Sequence, residues 1–445
     1  MACGLHCGPR MRWSLVLFAI LCGACDSPCE PGHLPEAPDA GPGEARHGLS
    51  VVAPQLDVAA TSGVVACLGC GFVFYFDDTL HEQRRVGVGV SGTSQLAVDH
   101  DLTYVLDIDY GQNPFFGDGT YRPPNFQLFA LSGDGDELWR NDLGDGEAWT
   151  GQFAPLNDIG YIASVPTMIP VHIAASSFGA VVHGAPLASV FEPTRGELLW
   201  TIATDVDGTG VVAPDAPYGL FVAEPGQTAS GVAQAVLRHL DGDGNPTWMV
   251  TWSTTLPPPL TQGGEIVFTN ATRSADGGLL VTGYFTTATL DAGGQTLQGL
   301  DSSSGEDFVN FVAALDSHGA TQWASTVGHK IGAEYVDDLK LAAVGDGAVI
   351  CGEYGGGGDQ LGLPLSGGSV GAFVAHVTAN GVVSAYSIGG MGSKRCQAIA
   401  GAADGSAIVT VQTTSDVTGV NEIQVGSRTF TAVSPYEFFL LNIAL

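Results

Sequence analysis

Four times in this chain a glycine is followed four residues later by a tryptophan, just after a short apolar run: Gly135/Trp139, Gly196/Trp200, Gly244/Trp248 and Gly319/Trp323. The preceding runs occupy 126–131, 185–191, 233–240 and 311–315. Each unit therefore reads as a strand, an Asp/Gly-rich turn, and a second strand carrying a large aromatic. One supersecondary unit returning at a fixed interval is the mark of repeat architecture, in which each unit buries its apolar face against its neighbours. Such a pattern constrains fold far more tightly than chemistry.

Extending the count to every apolar run before a turn gives seven candidate third strands: 71–76, 126–131, 186–191, 233–240, 308–315, 371–377 and 437–443. Inner hairpins with their own turn signals precede the last three, at Asp276-Gly-Gly278, Gly345-Asp-Gly347 and Asp404-Gly405. In the sixth unit the aromatic is displaced to Tyr386, and the seventh stops at Leu445 without room for a fourth strand. Residues 48–53 are apolar and are expected to pair with 437–443, removing two open sheet edges. The expected fold is all-β: a β-propeller of four-stranded blades, seven by this count with six or eight as alternatives, closed by pairing of its terminal strands.

Asp and Glu number 46 against 15 Lys and Arg, a net charge of −31, and the lysines are only Lys330, Lys340 and Lys394. That field repels nucleic acid and anionic bilayer surfaces, so neither is an expected partner. Charged residues are still only 14% and hydrophobic ones 45%, which fits an ordered β-rich chain and not an acidic disordered one.

Residues 11–21 have a basic start and a short apolar stretch, so 1–24 reads as a secretory signal with Met11 as a candidate true start. The stretch is short for a membrane span. Gly23-Ala24-Cys25 resembles a bacterial lipobox, which implies lipidation of Cys25; Cys22 stands where that family has Leu, Val or Ile. Cleavage after Ala24 without a lipid, giving a soluble secreted protein, is the other reading. Residues 25–45 are rich in Pro, Gly and acid and read as a disordered tether, with the propeller over 46–445. The expected location is a bacterial cell envelope or outer surface, with membrane contact only through the anchor and a monomeric propeller.

Cys67 and Cys70 flank an expected hairpin turn, and Cys351 and Cys396 fall on expected inner strands of consecutive blades, so both pairs are disulfide candidates; Cys29 is left in the tether. Asp241-Gly-Asp-Gly-Asn245 and Asp205-Val-Asp-Gly208 resemble pieces of calcium loops, making Asp205, Asp207, Asp241 and Asp243 the metal candidates. Neither has the full alternation of acids with a closing carboxylate, and Asp-Gly is also what tight turns demand. No cofactor is expected, with calcium as the alternative. The sequence holds no HExxH or Walker pattern, and no catalytic residue is assigned. His239, His318 and His376 lie on or beside third strands and read as structural. The long aromatic or Pro-rich loops 109–125, 144–170 and 253–264 are where a binding function would sit.

The segment 191–202, Phe-Glu-Pro-Thr-Arg-Gly-Glu-Leu-Leu-Trp-Thr-Ile, resembles the PQQ-like (quinoprotein-type) propeller repeat, as do the units around Trp139, Trp248 and Trp323; the C-terminal third resembles the SBBP-type repeat. The resemblance covers roughly 54–445 as architecture and implies that each Trp docks between adjacent blades. Burial of an indole there is worth about 2–3 kcal/mol. The function it implies is an envelope lipoprotein whose propeller binds protein or glycan. An outer-membrane assembly accessory is one alternative, and a secreted enzyme acting on polysaccharide or alcohol is another. A quinoprotein dehydrogenase would need a vicinal cysteine pair, which this chain does not contain.

Overall fold

The computed structural model describes residues 32–33 and, from 41 to 445, all but connecting stretches, the longest being 52–56, 110–124, 145–152, 163–171, 204–209, 256–264, 301–306, 356–360, 364–369 and 416–420. The architecture is all-β, an antiparallel up-and-down unit repeated as in a β-propeller. The first two units are Asp57–Thr61, Val64–Gly69, Phe72–Phe76, Glu82–Gly87 and then Thr93–Asp99, Leu102–Asp109, Asn125–Leu131, Glu137–Gly144. His172–Ser176, Gly179–Gly184, Leu187–Phe191, Leu198–Ala203 follow, then Val211–Asp215, Gly219–Gln227, Ala233–Leu240, Pro246–Thr255. Ile266–Arg273, Leu279–Phe285, Phe308–Leu315, Thr321–Ile331 and Glu334–Val344, Gly347–Gly355, Gly371–Thr378, Gly381–Gly389 come next. The last unit is Ser393–Gly401, Ala407–Thr414 and Tyr436–Ile443.

Every apolar run singled out in the sequence is a third strand. Phe308–Leu315 is buried along its whole length, because it is covered on both faces by neighbouring sheets and so reads as a continuous apolar run. Outer strands alternate instead, as Glu82–Gly87 does between half-buried and exposed positions. Between sheets the filling is aromatic: Trp252, Phe268, Phe285 and Phe311 lie with ring centroids 5.9–6.3 Å apart in tilted and edge-on pairs.

The glycine–tryptophan spacing has a geometric cause that links neighbouring units. The turn glycine of one unit lies against the aromatic of the unit before it: Gly196 on Trp139, Gly244 on Trp200 and Gly319 on Trp248. The indole N–H then donates to the second residue of that same turn, Trp139 Nε1 to Pro193 O at 2.7 Å and Trp248 Nε1 to Ser317 O at 2.9 Å. The first unit does this without an aromatic: the Arg84 guanidinium lies 3.9 Å over the Tyr75 ring and donates to Gly133 O. Leu80, at φ 60°, takes the place of its turn glycine, so Arg84 stands at the tryptophan position by the same four-residue spacing. Trp323 departs from the pattern and packs in an apolar cluster with Val382 and Ala385.

Tyr436–Ile443 pairs with Ala407–Thr414 on one side and with Ala45–Val51 on the other, in the register Gly48↔Leu441 and Leu49↔Leu440. The turn at this junction is assembled from both ends of the chain. Gly43 N donates to Ala444 O at 2.8 Å and Ala444 N to Glu44 O at 3.3 Å, the same pair of bonds that Gly135 and Ser132 make within one continuous turn. Gly43, at φ +77°, packs under Tyr386 as the other turn glycines pack under tryptophans. Two residues of the segment read as a tether also pair, Gly32↔Ser50 and His33↔Leu49.

Three outer strands carry an added strand or hairpin that the sequence reading did not anticipate. Gly32–His33 lies on Ala45–Val51. Thr289–Asp291 with Thr296–Gln298 continues the sheet beyond Pro246–Thr255, and Glu422–Val425 with Arg428–Thr431 extends it beyond Gly381–Gly389. Both hairpins arise between the second and third strands of the following unit and reach back to cover its predecessor. Their apolar residues, Leu290 and Leu297 in one and Ile423, Val425 and Phe430 in the other, are buried, which is what holds such short strands in place.

Candidate functional site

The Asp-rich turns are the natural place to look for chemistry, and their side chains are engaged in the backbone. Asp241 Oδ1 accepts the amides of Asp243 at 3.0 Å and Asn245 at 2.9 Å, and Asp316 Oδ1 accepts those of His318 and Ala320 at 2.9 Å each. Asp77 and Ser132 cap their turns in the same way. The amide of Asn245, followed by that of Asp243, holds the Asp241 carboxyl below the usual range. For Asp77 burial pulls upward, but the bonds from Thr79 and His81 together outweigh it and the net shift is down. A short polar side chain at the first turn position thus ties the turn amides, which is a sufficient physical reason for Asp there. Asp205 and Asp207 lie outside the described residues, and among the described residues no group of three or more His, Cys, Asp or Glu is gathered to hold a metal.

Of the cysteines, Cys67 stands across the strand from Phe74 and from Val58, with Gly69 opposite Phe72, and Cys70 lies outside the described residues. Cys351 and Cys396 are brought together, with Cα atoms 6.1 Å apart and both side chains fully buried. Cys351 lies on the second strand of its unit and Cys396 on the first strand of the next, and these two strands face each other. Cys25 and Cys29 lie outside the described residues, as do the aromatic stretch 110–124 and the prolines 257–259. The stretch 144–170 contributes a hairpin, Phe153–Leu156 with Ile159–Ile162.

The most elaborate polar cluster forms around His239. Its Nε2 lies 2.9 Å from Asp215 Oδ2, its Nδ1 lies 2.6 Å from Thr247 Oγ1, and Arg273 Nε donates to the other Asp215 oxygen at 2.6 Å. Asp215 ends the first strand of its unit, His239 is near the end of the third, Thr247 starts the fourth, and Arg273 comes from the next unit. The ring is fixed between Phe221, 4.7 Å away, and Trp248, 6.0 Å away and nearly parallel. With about an eighth of the His239 and Asp215 side chains exposed, this network cross-links four strand ends beside the Trp248 dock. His239 was legible as a strand-end residue. Asp215 and Arg273, distant in sequence by 24 and 58 residues from their partners, were not. Lys394, almost fully buried, is satisfied by the carbonyls of Met391 at 2.6 Å and Gly392 at 3.1 Å.

Among the described residues, large apolar side chains stand exposed on the outer rim. Large exposed apolar residues include Leu138 on Glu137–Gly144 and Leu198 and Leu199 on Leu198–Ala203, the outermost strands of two successive units. Among the described residues nothing pairs with the outer side of either strand.

Repeated antiparallel sheets linked by turn-on-aromatic docking define the class: a β-propeller. No protein-family model matches the chain, and no curated protein matches it. Among solved structures it is similar to BamB from Moraxella catarrhalis, a PQQ-like propeller, at 12% identity over 86% of this chain and 95% of that one, TM-score 0.38. A eukaryotic initiation factor matches at 11% identity over 93% and 98%, TM-score 0.42. Hsv2 of Kluyvelomyces marxianus matches at 8% over 85% and 98%, TM-score 0.43. Scores this low carry no argument about function, and the fold assignment rests on the strand pairing itself.

Proposed function

We propose that this chain is a seven-bladed propeller, closed by its terminal strands, that serves as a binding or scaffold module of a bacterial cell envelope on a lipid anchor at Cys25. Seven innermost strands support the blade count. Asp57–Thr61, Thr93–Asp99, His172–Ser176, Val211–Asp215, Ile266–Arg273, Glu334–Val344 and Ser393–Gly401 each neighbour the next, and the last neighbours the first. Pairing of Ala45–Val51 with Tyr436–Ile443 supports closure. A disulfide between Cys351 and Cys396 accords with export to an oxidising compartment.

The binding role is carried by one observation: Leu138, Leu198 and Leu199 stand exposed on outer strands of successive units whose outer sides bear no partner among the described residues. Mass spectrometry of the mature N-terminus tests the anchor, with an acyl mass on Cys25 expected and an unmodified chain beginning there refuting it. Crosslinking in intact envelopes followed by affinity capture tests the module; recovery of the protein alone, at every crosslinker length, would refute it.

A further inference from the structure

The N-terminal segment read from the sequence as a tether is fastened part of the way along. Gly32 and His33 pair antiparallel with Ser50 and Leu49, on the outer side of Ala45–Val51, whose other side is paired to Tyr436–Ile443. Gly32 stands seven residues after Cys25. An extended chain spans at most ~3.3–3.6 Å per residue, so the leash from Cys25 to the propeller rim is no longer than about 25 Å. Were the chain first held at Gly41, whose amide donates to Glu44 Oε2, the leash would reach about 55 Å. The strand behind the fastening is itself clasped. The Ser427 hydroxyl donates to Glu44, Arg46 pairs with Asp404 at 2.9 Å, and the Arg428 guanidinium donates to Ala45 O.

A leash matters only against the size of the body it holds. Four strand spacings separate Gly32–His33 from the innermost strand of the last unit, and three more cross the third unit on the far side of the ring of seven. At about 4.8 Å each, and with the channel between, the outer strand of the third unit stands more than ~35 Å from Gly32. A body held at its rim by a leash shorter than its own width cannot turn over to bring the opposite rim to the anchor. The fastening also has a direction. With Gly32 opposite Ser50 and His33 opposite Leu49, the strand read from His33 to Gly32 points to the Val51 end of its partner, away from the turn that Gly43 completes with Ala444.

We propose that the propeller is held with the outer rim of its last unit, at the Val51 end, within about 25 Å of the lipid bilayer, and with its third unit held on the side away from the bilayer. The surface so turned outward is the one that carries exposed Leu198 and Leu199. The fastening does what charge cannot, since a body of net charge −31 gains nothing from an anionic membrane surface and is placed there by its chain alone. The inference deepens the binding-module reading and rests on its anchor at Cys25 and its ring of seven units. What it adds is an orientation: the last unit faces the lipid and the third faces whatever the module binds.

The test uses the mature chain purified from membranes and placed in phosphatidylcholine vesicles that carry an acceptor dye on the lipid headgroups. A donor dye is attached through Gln424→p-acetylphenylalanine, on the hairpin beside the clasped strand, or through Arg195→p-acetylphenylalanine, in a turn of the third unit; both positions are exposed. Energy transfer should be at least ~2-fold more efficient from 424 than from 195, given more than ~35 Å across the ring. Gly32→Pro together with His33→Pro removes both amides of the fastening and frees the leash as far as Gly41, so the two efficiencies should converge. The melting temperature of that variant should hold, because Ala45–Val51 keeps its pairing to Tyr436–Ile443. Equal transfer from the two positions in an acylated chain, or a contrast that the proline pair leaves unchanged, overturns the placement and leaves the anchor standing. A chain without an acyl group on Cys25, which mass spectrometry reads separately, overturns the anchor and the placement with it.

Discussion

Replacing Gly319 by alanine measures how much stability lies between units and not within them. Gly319 sits at φ +84°, and a Cβ there would fall 2.7 Å from Trp248 Cε3 and 2.8 Å from Cδ2. The indole cannot withdraw cheaply, because Nε1 is bonded to Ser317 O and the ring stacks on His239. Two costs therefore add: about 1–2 kcal/mol for an L-residue in left-handed backbone, and about 1–3 kcal/mol for overpacking. Gly405 supplies the control, since it sits at φ +83° in a turn closed by the same amide-to-carbonyl bond, 3.0 Å in each, and has nothing within 4 Å of its Cβ position. Gly405→Ala should cost only the backbone term, about 1–2 kcal/mol, while Gly319→Ala should cost about 2–5. Urea midpoints at a common slope give both values. In a Trp248→Ala background the cost of Gly319→Ala should fall to that of Gly405→Ala, because the clashing ring is gone. Equal costs for the two glycines, or a cost unmoved by removing the indole, would refute the docking argument.

Deleting residues 437–445 removes a strand that pairs on both sides and carries the buried Phe438, Phe439, Leu440, Leu441 and Ile443. At about 1.5–3 kcal/mol per side chain this equals or exceeds the stability of most domains, so the cooperative thermal transition should disappear; an unchanged melt refutes closure. Cys351→Ser should cost about 4 kcal/mol on the chain-entropy argument for a disulfide spanning 45 residues, with wild type sensitive to reductant and the variant not. Reductant-insensitive melting of the wild type would refute the bond. Acid should loosen the junction of the chain ends. The Ser427 hydroxyl and then the Gly41 amide lower the Glu44 carboxyl from 4.5, so its contribution is present above that pH and is lost as pH falls below 4.5 through the lowered value. Melts at pH 7 and pH 3 should show a smaller acid loss for Ser427→Ala than for wild type, and equal losses would count against this role.

Much of the fold was legible because a propeller repeats one local rule. The seven third strands were found as apolar runs, since strands covered on both faces need no polar alternation, and the turns at Asp276, Asp346 and Asp404 were found from Asp-Gly signals. Arg84, four residues beyond Leu80, was not legible as the counterpart of a tryptophan, because the two side chains share only the ability to donate to the next turn. The His239 cluster and the added hairpins were missed for a different reason. Short strands such as Thr289–Asp291 and Thr296–Gln298 have no periodicity long enough to read.

Sequence alone determined the repeating unit, because glycine at a positive-φ turn and an aromatic four residues on are local requirements of one hairpin and its neighbour. Tertiary structure decided everything that depends on which units meet: Gly43 completing a turn begun at Ala444, Tyr386 covering it, Cys351 finding Cys396, and Asp215 joining His239 to Arg273. It also decided which outer strands receive an added strand or hairpin. Those pairings join residues tens to hundreds of positions apart, and their free energy comes from burial and hydrogen bonds that exist only once the sheets stand side by side.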